Sequence, residues 1–260
     1  GIKIPGGKRT LLVPARNFPV EVLFLRDDDI PESVASGVAD VGIVGLNEVM
    51  EKRCPVGILK KLGFGKCRLS LAIPQDIDYQ DRNWFSGKKI ATSYPGILSD
   101  YLHKNGIVSD IHVITGSVEI APGIRLADAI FDIVSSGSTL VSNRLKEVET
   151  VVESEAVLIG TDSISPEKRG ILDELLFRFD SVQAADDKKY ILMNVPQKKL
   201  NDVLSVLPGI KSPTVMPLAD KEWCSVHTVL DEKCFWEIIN RLKTAGAEGI
   251  LVLDIEKMIL

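Results

Sequence analysis

Short apolar runs alternate with stretches of helical periodicity over the first 185 residues of the chain, an order that predicts α/β layers built on parallel sheets. Residues 20–25 read as a strand. Asp29, Pro31 and Glu32 then open a helix through Val38, with Asp29 as N-cap and Glu32 at the capping-box position. Residues 41–44 form a second strand, and Gly45 leads into a helix that holds Asn47, Val49 and Met50. Residues 89–92 are a further strand, ending in a loop at Tyr94. Beyond about Asp187 the order becomes βαββαβ: strand 190–195, helix 197–206, strands 214–218 and 224–230, a helix ending near Gly246, and strand 249–253. That order is ferredoxin-like, with helices over one face of an antiparallel sheet.

The most informative segment is residues 128–140, DAIFDIVSSGSTL. Ala129, Ile130, Ile133 and Val134 make a buried strand interrupted by Asp132. Ser135, Ser136, Gly137, Ser138 and Thr139 follow, small residues whose amides and hydroxyls close around an anion, and a helical segment is expected from Leu140 through Leu145. A helix N-terminus supplies free N–H groups, and Gly137 admits an oxygen where a Cβ would exclude it. The two carboxylates just upstream, Asp128 and Asp132, suit ribose hydroxyls, so the inferred ligand is a ribose 5-phosphate and not a bare phosphate. The bland alternative is a polar loop after a strand, with Asp132 capping a turn.

The chain has 260 residues, 45% of them hydrophobic and 26% charged, enough for two or three domains with real cores. Its net charge of −5 gives no general basic field, which disfavours nonspecific nucleic-acid binding and leaves a nucleotide substrate to a local cationic pocket. No apolar run is long enough to span a membrane, and a cytoplasmic location is expected. Cys54, Cys67, Cys224 and Cys234 lack zinc-site spacing, and His103, His112 and His227 are too scattered for a metal cluster, so no protein metal site is expected.

Extended to residues 116–140, the run GSVEIAPGIRLADAIFDIVSSGSTL closely resembles the phosphoribosyl pyrophosphate signature of the ATP phosphoribosyltransferase family. Further resemblance lies in LRDDDIP (25–31), GVADVGIVG (37–45), CRLSLA (67–72), KIATSYP (89–95) and ILVLDIEKM (250–258). The family catalyses the first step of histidine biosynthesis, joining ATP to phosphoribosyl pyrophosphate. The resemblance implies a bilobed, periplasmic-binding-protein-like catalytic core with a ferredoxin-like regulatory domain: residues 1–72 and 157–185 as first lobe, 73–156 as second, 188–260 as the regulatory domain.

The same resemblance implies Asp132, Ser135, Ser136, Gly137, Ser138 and Thr139 at the ribose phosphate. Asp128 either touches the ribose or ends the preceding turn. Glu119 orients the ribose or takes a proton from the adenine amino group, its alternative being a neighbour of a helix cap. Arg26 faces polyphosphate or forms a structural ion pair with Asp27 and Asp28. Tyr94 stacks on a base or ribose, or packs in the core. Arg125 stands where most family members carry a small residue. Mg²⁺ is expected on the pyrophosphate, with few protein ligands. The C-terminal domain marks the long form of the family, which implies feedback inhibition by histidine at Asn194, Ile210, Thr214 and Gly249 and a homo-oligomer, dimer or hexamer. The family also carries a strand and helix with a Lys-x-Gly-Arg-Leu motif ahead of GIKI, so a preceding segment is expected. A noncatalytic bilobed anion sensor is the main competing reading.

Overall fold

The computed structural model of the protein describes residues 1–5, 11–208 and 213–260. It divides into two compact units, residues 1–171 and 172–260.

The first unit begins with a hairpin of β1 (Leu12–Pro14) and β2 (Glu21–Leu23), followed by a 3-10 turn (Asp27–Asp29) and α1 (Ile30–Ala35). Asp29 is the N-cap of α1, but its side chain caps nothing; Ser33 Oγ returns to the Asp29 carbonyl instead, so no capping box forms. Then come β3 (Val41–Gly45), α2 (Leu46–Lys52) and β4 (Gly57–Lys61). These elements and β10 (Ala156–Gly160) form one lobe, whose sheet order is β3-β10-β4. Both pairings are antiparallel, against the expectation of parallel sheets throughout. Val34, Val44, Val157 and Ile159 are its core.

The second lobe holds β5 (Cys67–Pro74), β6 (Lys89–Thr92), α3 (Pro95–Lys104), β7 (Asp110–Val113), β8 (Ala129–Val134), α4 (Ser138–Ser142) and β9 (Leu145–Ser154). Its sheet order is β7-β6-β8-β5-β9, with β6 parallel to both β7 and β8 and the other pairs antiparallel. Alternation puts Leu69, Leu71, Ile73 and Phe131 on the face covered by Leu98 and Leu102 of α3, and Ala72, Ile130 and Val134 on the face with Val118 and Leu140. Because β5 belongs wholly to this sheet, the chain crosses between lobes before Cys67, not at the boundary expected after residue 72. The return crossing is at Glu155, and the two crossings run side by side, joined by Leu62 N–H to Ala156 O and Ala156 N–H to Phe64 O, each 2.9 Å.

Helix α5 (Pro166–Ala185) straddles the division between units, so of the residues 157–185 expected in the first lobe, 172–185 belong to the second unit. That unit continues with β11 (Lys188–Pro196), α6 (Leu200–Val206), β12 (Thr214–Pro217), β13 (Trp223–Asp231), α7 (Glu232–Ala245) and β14 (Glu248–Asp254). The sheet is antiparallel in the order β12-β13-β11-β14, the ferredoxin-like arrangement expected. Ile191, Met193, Val195, Cys224 and Val226 face Val203 of α6 and Phe235, Ile238 and Leu242 of α7.

Candidate active site

In the second lobe the chain passes from β6 to β7 on one side and then back across β6 to β8 on the other, and the three strands are parallel, so the loops at their carboxyl ends lie at one edge of the sheet, where open α/β sheets bind ligands in a crevice. β6 leads to Tyr94, β7 to the turn holding Glu119 (Val118–Ile120), and β8 to residues 135–139. Ser93 Oγ donates to Ile114 O at 2.8 Å and fastens the first two loops together.

Ser135, Ser136, Ser138 and Thr139 are exposed around Gly137, whose φ of +79° lies in the left-handed region. Glycine enters that region without the steric cost a Cβ would bring. Ser136 Oγ and Ser138 Oγ are 2.9 Å apart. The helix that follows starts earlier than expected: α4 spans Ser138–Ser142 where a helical segment was expected over 140–145, and β9 already begins at Leu145. Ser142 Oγ and Asn143 Nδ2 donate to the carbonyls of Ser138 and Thr139 beside the backbone bond from Asn143 N to Thr139 O, and Arg144 at φ +56° turns the chain out of the helix. An anion here would rely on amides and hydroxyls more than on a helix dipole.

Asp132 is half-buried, and its Oδ1 accepts from the Ile133 amide at 2.8 Å. Burial pushes its pKa above the usual carboxylate value; the amide opposes this, and the Glu119 charge adds to it, which sets the two carboxylates in each other's field. Asp128 lies at the opposite end of the strand. Its six-residue separation from Val134 is about 20 Å at the usual rise of roughly 3.3 Å per residue. There its Oδ2 accepts from Lys89 N at 2.9 Å, and its own amide donates to Lys89 O. Of the two readings for Asp128, the structure supports the end of a turn.

Tyr94 is only 9% exposed and its ring belongs to the core, which overturns base stacking. Its hydroxyl donates to Glu48 Oε1 at 2.9 Å and accepts from Asn47 Nδ2 at 3.3 Å, while Ser154 Oγ donates to Asn47 Oδ1 at 2.8 Å. This network ties α2 of the first lobe to α3 and β9 of the second. Burial also raises the Glu48 pKa, against the Tyr94 hydrogen bond, with Asp27 and Asp28 adding to the rise. Arg26 is 83% exposed at its side chain and pairs with Asp28 at 3.3 Å, the structural ion pair weighed above. Arg125 has φ +58°, in the left-handed region where a Cβ carries a steric cost that glycine avoids.

The sequence reading missed Asn47, Glu48, Glu51 and Ser154, and it passed over Arg68 and Glu147 as well. A lone arginine in the apolar run 67–74 was the available signal for Arg68; the interlobe residues left none.

In the second unit, cross-strand register places Asn194 opposite Ser225 and Thr214 opposite His227, on the sheet face turned away from α6 and α7. His227 bridges Tyr190 Oη at 2.6 Å and Ser225 Oγ at 2.9 Å. Gly249 has φ +55° at a bulge, and a Cβ there would come within 3.4 Å of Asn194 Nδ2. Three of the four positions implied for histidine thus gather on one face; Ile210 lies outside the described residues.

Residues 26–181 match the family model of ATP phosphoribosyltransferase, and residues 185–257 match that of the HisG C-terminal domain. The chain belongs to the ATP phosphoribosyltransferase family. An ATP phosphoribosyltransferase of Bacteroides fragilis is 70% identical over 259 residues, covering 100% of this chain and 92% of the relative. That of Cytophaga hutchinsonii is 58% identical, covering 100% and 91%. Among solved structures, the ATP phosphoribosyl transferase (HisG:HisZ) complex from Thermotoga maritima matches with a TM-score of 0.58 and 25% identity, covering 66% of this chain and 82% of that one. Among the described residues, no helix is long and apolar enough to cross a membrane, and no group of three His, Cys, Asp or Glu side chains could hold a metal ion.

Proposed function

We propose that the chain joins ATP to 5-phosphoribosyl 1-pyrophosphate at the crevice of the second lobe, giving N1-(5-phosphoribosyl)-ATP and pyrophosphate, the first step of histidine biosynthesis. One observation carries the reading: in a member of this family, the exposed loop 135–139 and the turn holding Glu119 leave the carboxyl ends of parallel strands, with the half-buried Asp132 in the field of Glu119.

In this reading the amides and hydroxyls of Ser135, Ser136, Gly137, Ser138 and Thr139 take the 5-phosphate, and Asp132 accepts from the ribose hydroxyls. Adenine N1 attacks ribose C1 as the C1–O bond to pyrophosphate breaks, through a transition state with oxocarbenium character. The carboxylates of Asp132 and Glu119 favour positive charge developing at that carbon. Glu119 takes the proton released from the adenine amino group. No covalent enzyme intermediate is needed; positioning the two substrates supplies the rate. Asp132 and Glu119, each in the other's field, are the carboxylates available to Mg²⁺, which takes one or two carboxylates plus substrate phosphates. When bound, the ion would neutralise the leaving pyrophosphate.

The ferredoxin-like unit is assigned histidine as inhibitor, at Asn194, Thr214 and Gly249, and association into a homo-oligomer, dimer or hexamer, in the cytoplasm. The gathering of these three positions on one sheet face supports that assignment. Incubation of the protein with ATP, phosphoribosyl pyrophosphate and Mg²⁺, following pyrophosphate release, tests the reaction; no release at saturating substrates would refute it. Histidine should lower turnover in that assay without competing with phosphoribosyl pyrophosphate, and Thr214→Ala should weaken the inhibition while leaving uninhibited turnover unchanged. Coupling of this kind requires histidine to bind one state of the protein better than another, so sedimentation with and without histidine should shift together with the activity.

A further inference from the structure

We propose that Arg68 is the positioning residue of the 135–139 loop, acting through the Ser135 carbonyl, with Glu147 fixing the arginine in place. The proposal rests on reading that loop as the seat of the ribose phosphate. Arg68 stands near the start of β5, where its neighbours Leu69, Ser70, Leu71 and Ala72 are buried. Its Nε and Nη2 donate to the two carboxylate oxygens of Glu147, each at 2.5 Å, and its Nη1 donates to Ser135 O at 3.1 Å. Ser70 Oγ at 2.7 Å and Thr150 Oγ1 at 3.1 Å add donors to Glu147 Oε1. The Arg68 bonds hold the Glu147 carboxyl far below the usual range, at about 2, despite partial burial, so it stays ionised through the neutral range.

The consequence lies in the peptide that joins Ser135 to Ser136. In a trans peptide the C=O and N–H point in opposite directions. Tying the Ser135 carbonyl to Arg68 therefore turns the Ser136 amide to the other side, as a donor at the first step of the loop out of β8. Arg68 itself is no free countercharge, because Glu147 occupies its fork and neutralises it. Lysine cannot reproduce this arrangement, since a single ammonium does not span a carboxylate fork and a carbonyl in fixed geometry.

Steady-state kinetics and calorimetric titration with phosphoribosyl pyrophosphate, on the wild type and on Arg68→Gln, Arg68→Lys, Glu147→Gln and the Arg68→Gln/Glu147→Gln pair, test the proposal. The expected result is a KM for phosphoribosyl pyrophosphate raised about tenfold in each single variant, the equivalent of ~1.4 kcal/mol and of one lost charge-assisted hydrogen bond. The KM for ATP should be unchanged, and the double variant should be no worse than either single one, because both act through one contact. Arg68→Lys should recover little. Thermal melting identifies any variant that fails to fold, in which case folded Glu147→Gln carries the test alone. Equal rises in both KM values, additive losses in the double variant, or unchanged affinity in folded Glu147→Gln would overturn the positioning role while the wild type still binds. A wild type that does not bind phosphoribosyl pyrophosphate would instead overturn the reading of the loop, and the proposal with it.

Discussion

Replacing Glu51 by alanine should loosen the junction between the two lobes of the first unit. The first turn of α3 begins with Pro95, which has no N–H, and its N-cap residue Tyr94 offers no side-chain acceptor. Leu98 N donates to Tyr94 O at 3.1 Å. The two amides that remain, Gly96 and Ile97, both donate to Glu51 of α2, at 2.8 and 2.9 Å, one to each carboxylate oxygen. A negative group there also complements the positive end of the helix. Each hydrogen bond to a charged acceptor contributes about 1.5–3 kcal/mol, but water can reach part of this site and replace some of it. A net loss of about 2–3 kcal/mol follows, and for a unit of this size each kcal/mol lowers the melting temperature by roughly 2–4 °C. Differential scanning calorimetry should therefore place the transition of the first unit about 4–12 °C lower in Glu51→Ala. Glu51→Gln, which keeps an acceptor and loses the charge, should lie between Glu51→Ala and the wild type. Gly96→Ala probes the same contact from the other side, since its Cβ would sit 3.0 Å from Glu51 Oε1. If Glu51→Ala melts with the wild type and its Gly96 and Ile97 amides exchange hydrogen no faster, the junction does not depend on this carboxylate.

Asp132→Asn should weaken phosphoribosyl pyrophosphate binding by about 1.5–3 kcal/mol in calorimetry, whereas Asp128→Asn, at the far end of β8, should leave it unchanged; equal effects would refute the division between the two aspartates. Arg125→Gly should raise stability by about 0.5–1 kcal/mol in denaturant unfolding, because glycine removes the left-handed strain at φ +58°. Glu147 titrates at about 2 in the folded protein against an ordinary 4.5, so its contribution is present above pH 4.5 and is lost as the pH falls toward 2. Converted in full, that shift is roughly 3 kcal/mol, reduced by solvent screening to about 1–2 kcal/mol. Urea unfolding of wild type and Glu147→Gln should therefore differ near neutral pH and converge toward pH 2.

Much of the site was legible because its chemistry is local. The loop 135–139 needs small residues and a glycine within a few positions of a strand end, and such proximity is written directly into the chain. The βαββαβ order of the C-terminal unit was legible for a related reason: alternation along each strand and the one-sided apolar stripe of α7 specify which face meets the core. What the sequence left undecided was every relation between distant segments. Asp128 and Asp132 look equivalent four residues apart, yet a strand carries them toward opposite ends of the sheet, and only the pairing with β6 shows which end faces the crevice. Tyr94 reads as a loop aromatic until α2 supplies Glu48 and Asn47 for its hydroxyl, and Arg68 reads as one charge in an apolar strand until β9 brings Glu147 to its fork. The local pattern thus determined the elements and the anion loop, because those depend on neighbouring residues. The interlobe junction and the support of that loop depend on partners 45 to 107 positions away, whose meeting is decided by packing of the whole unit.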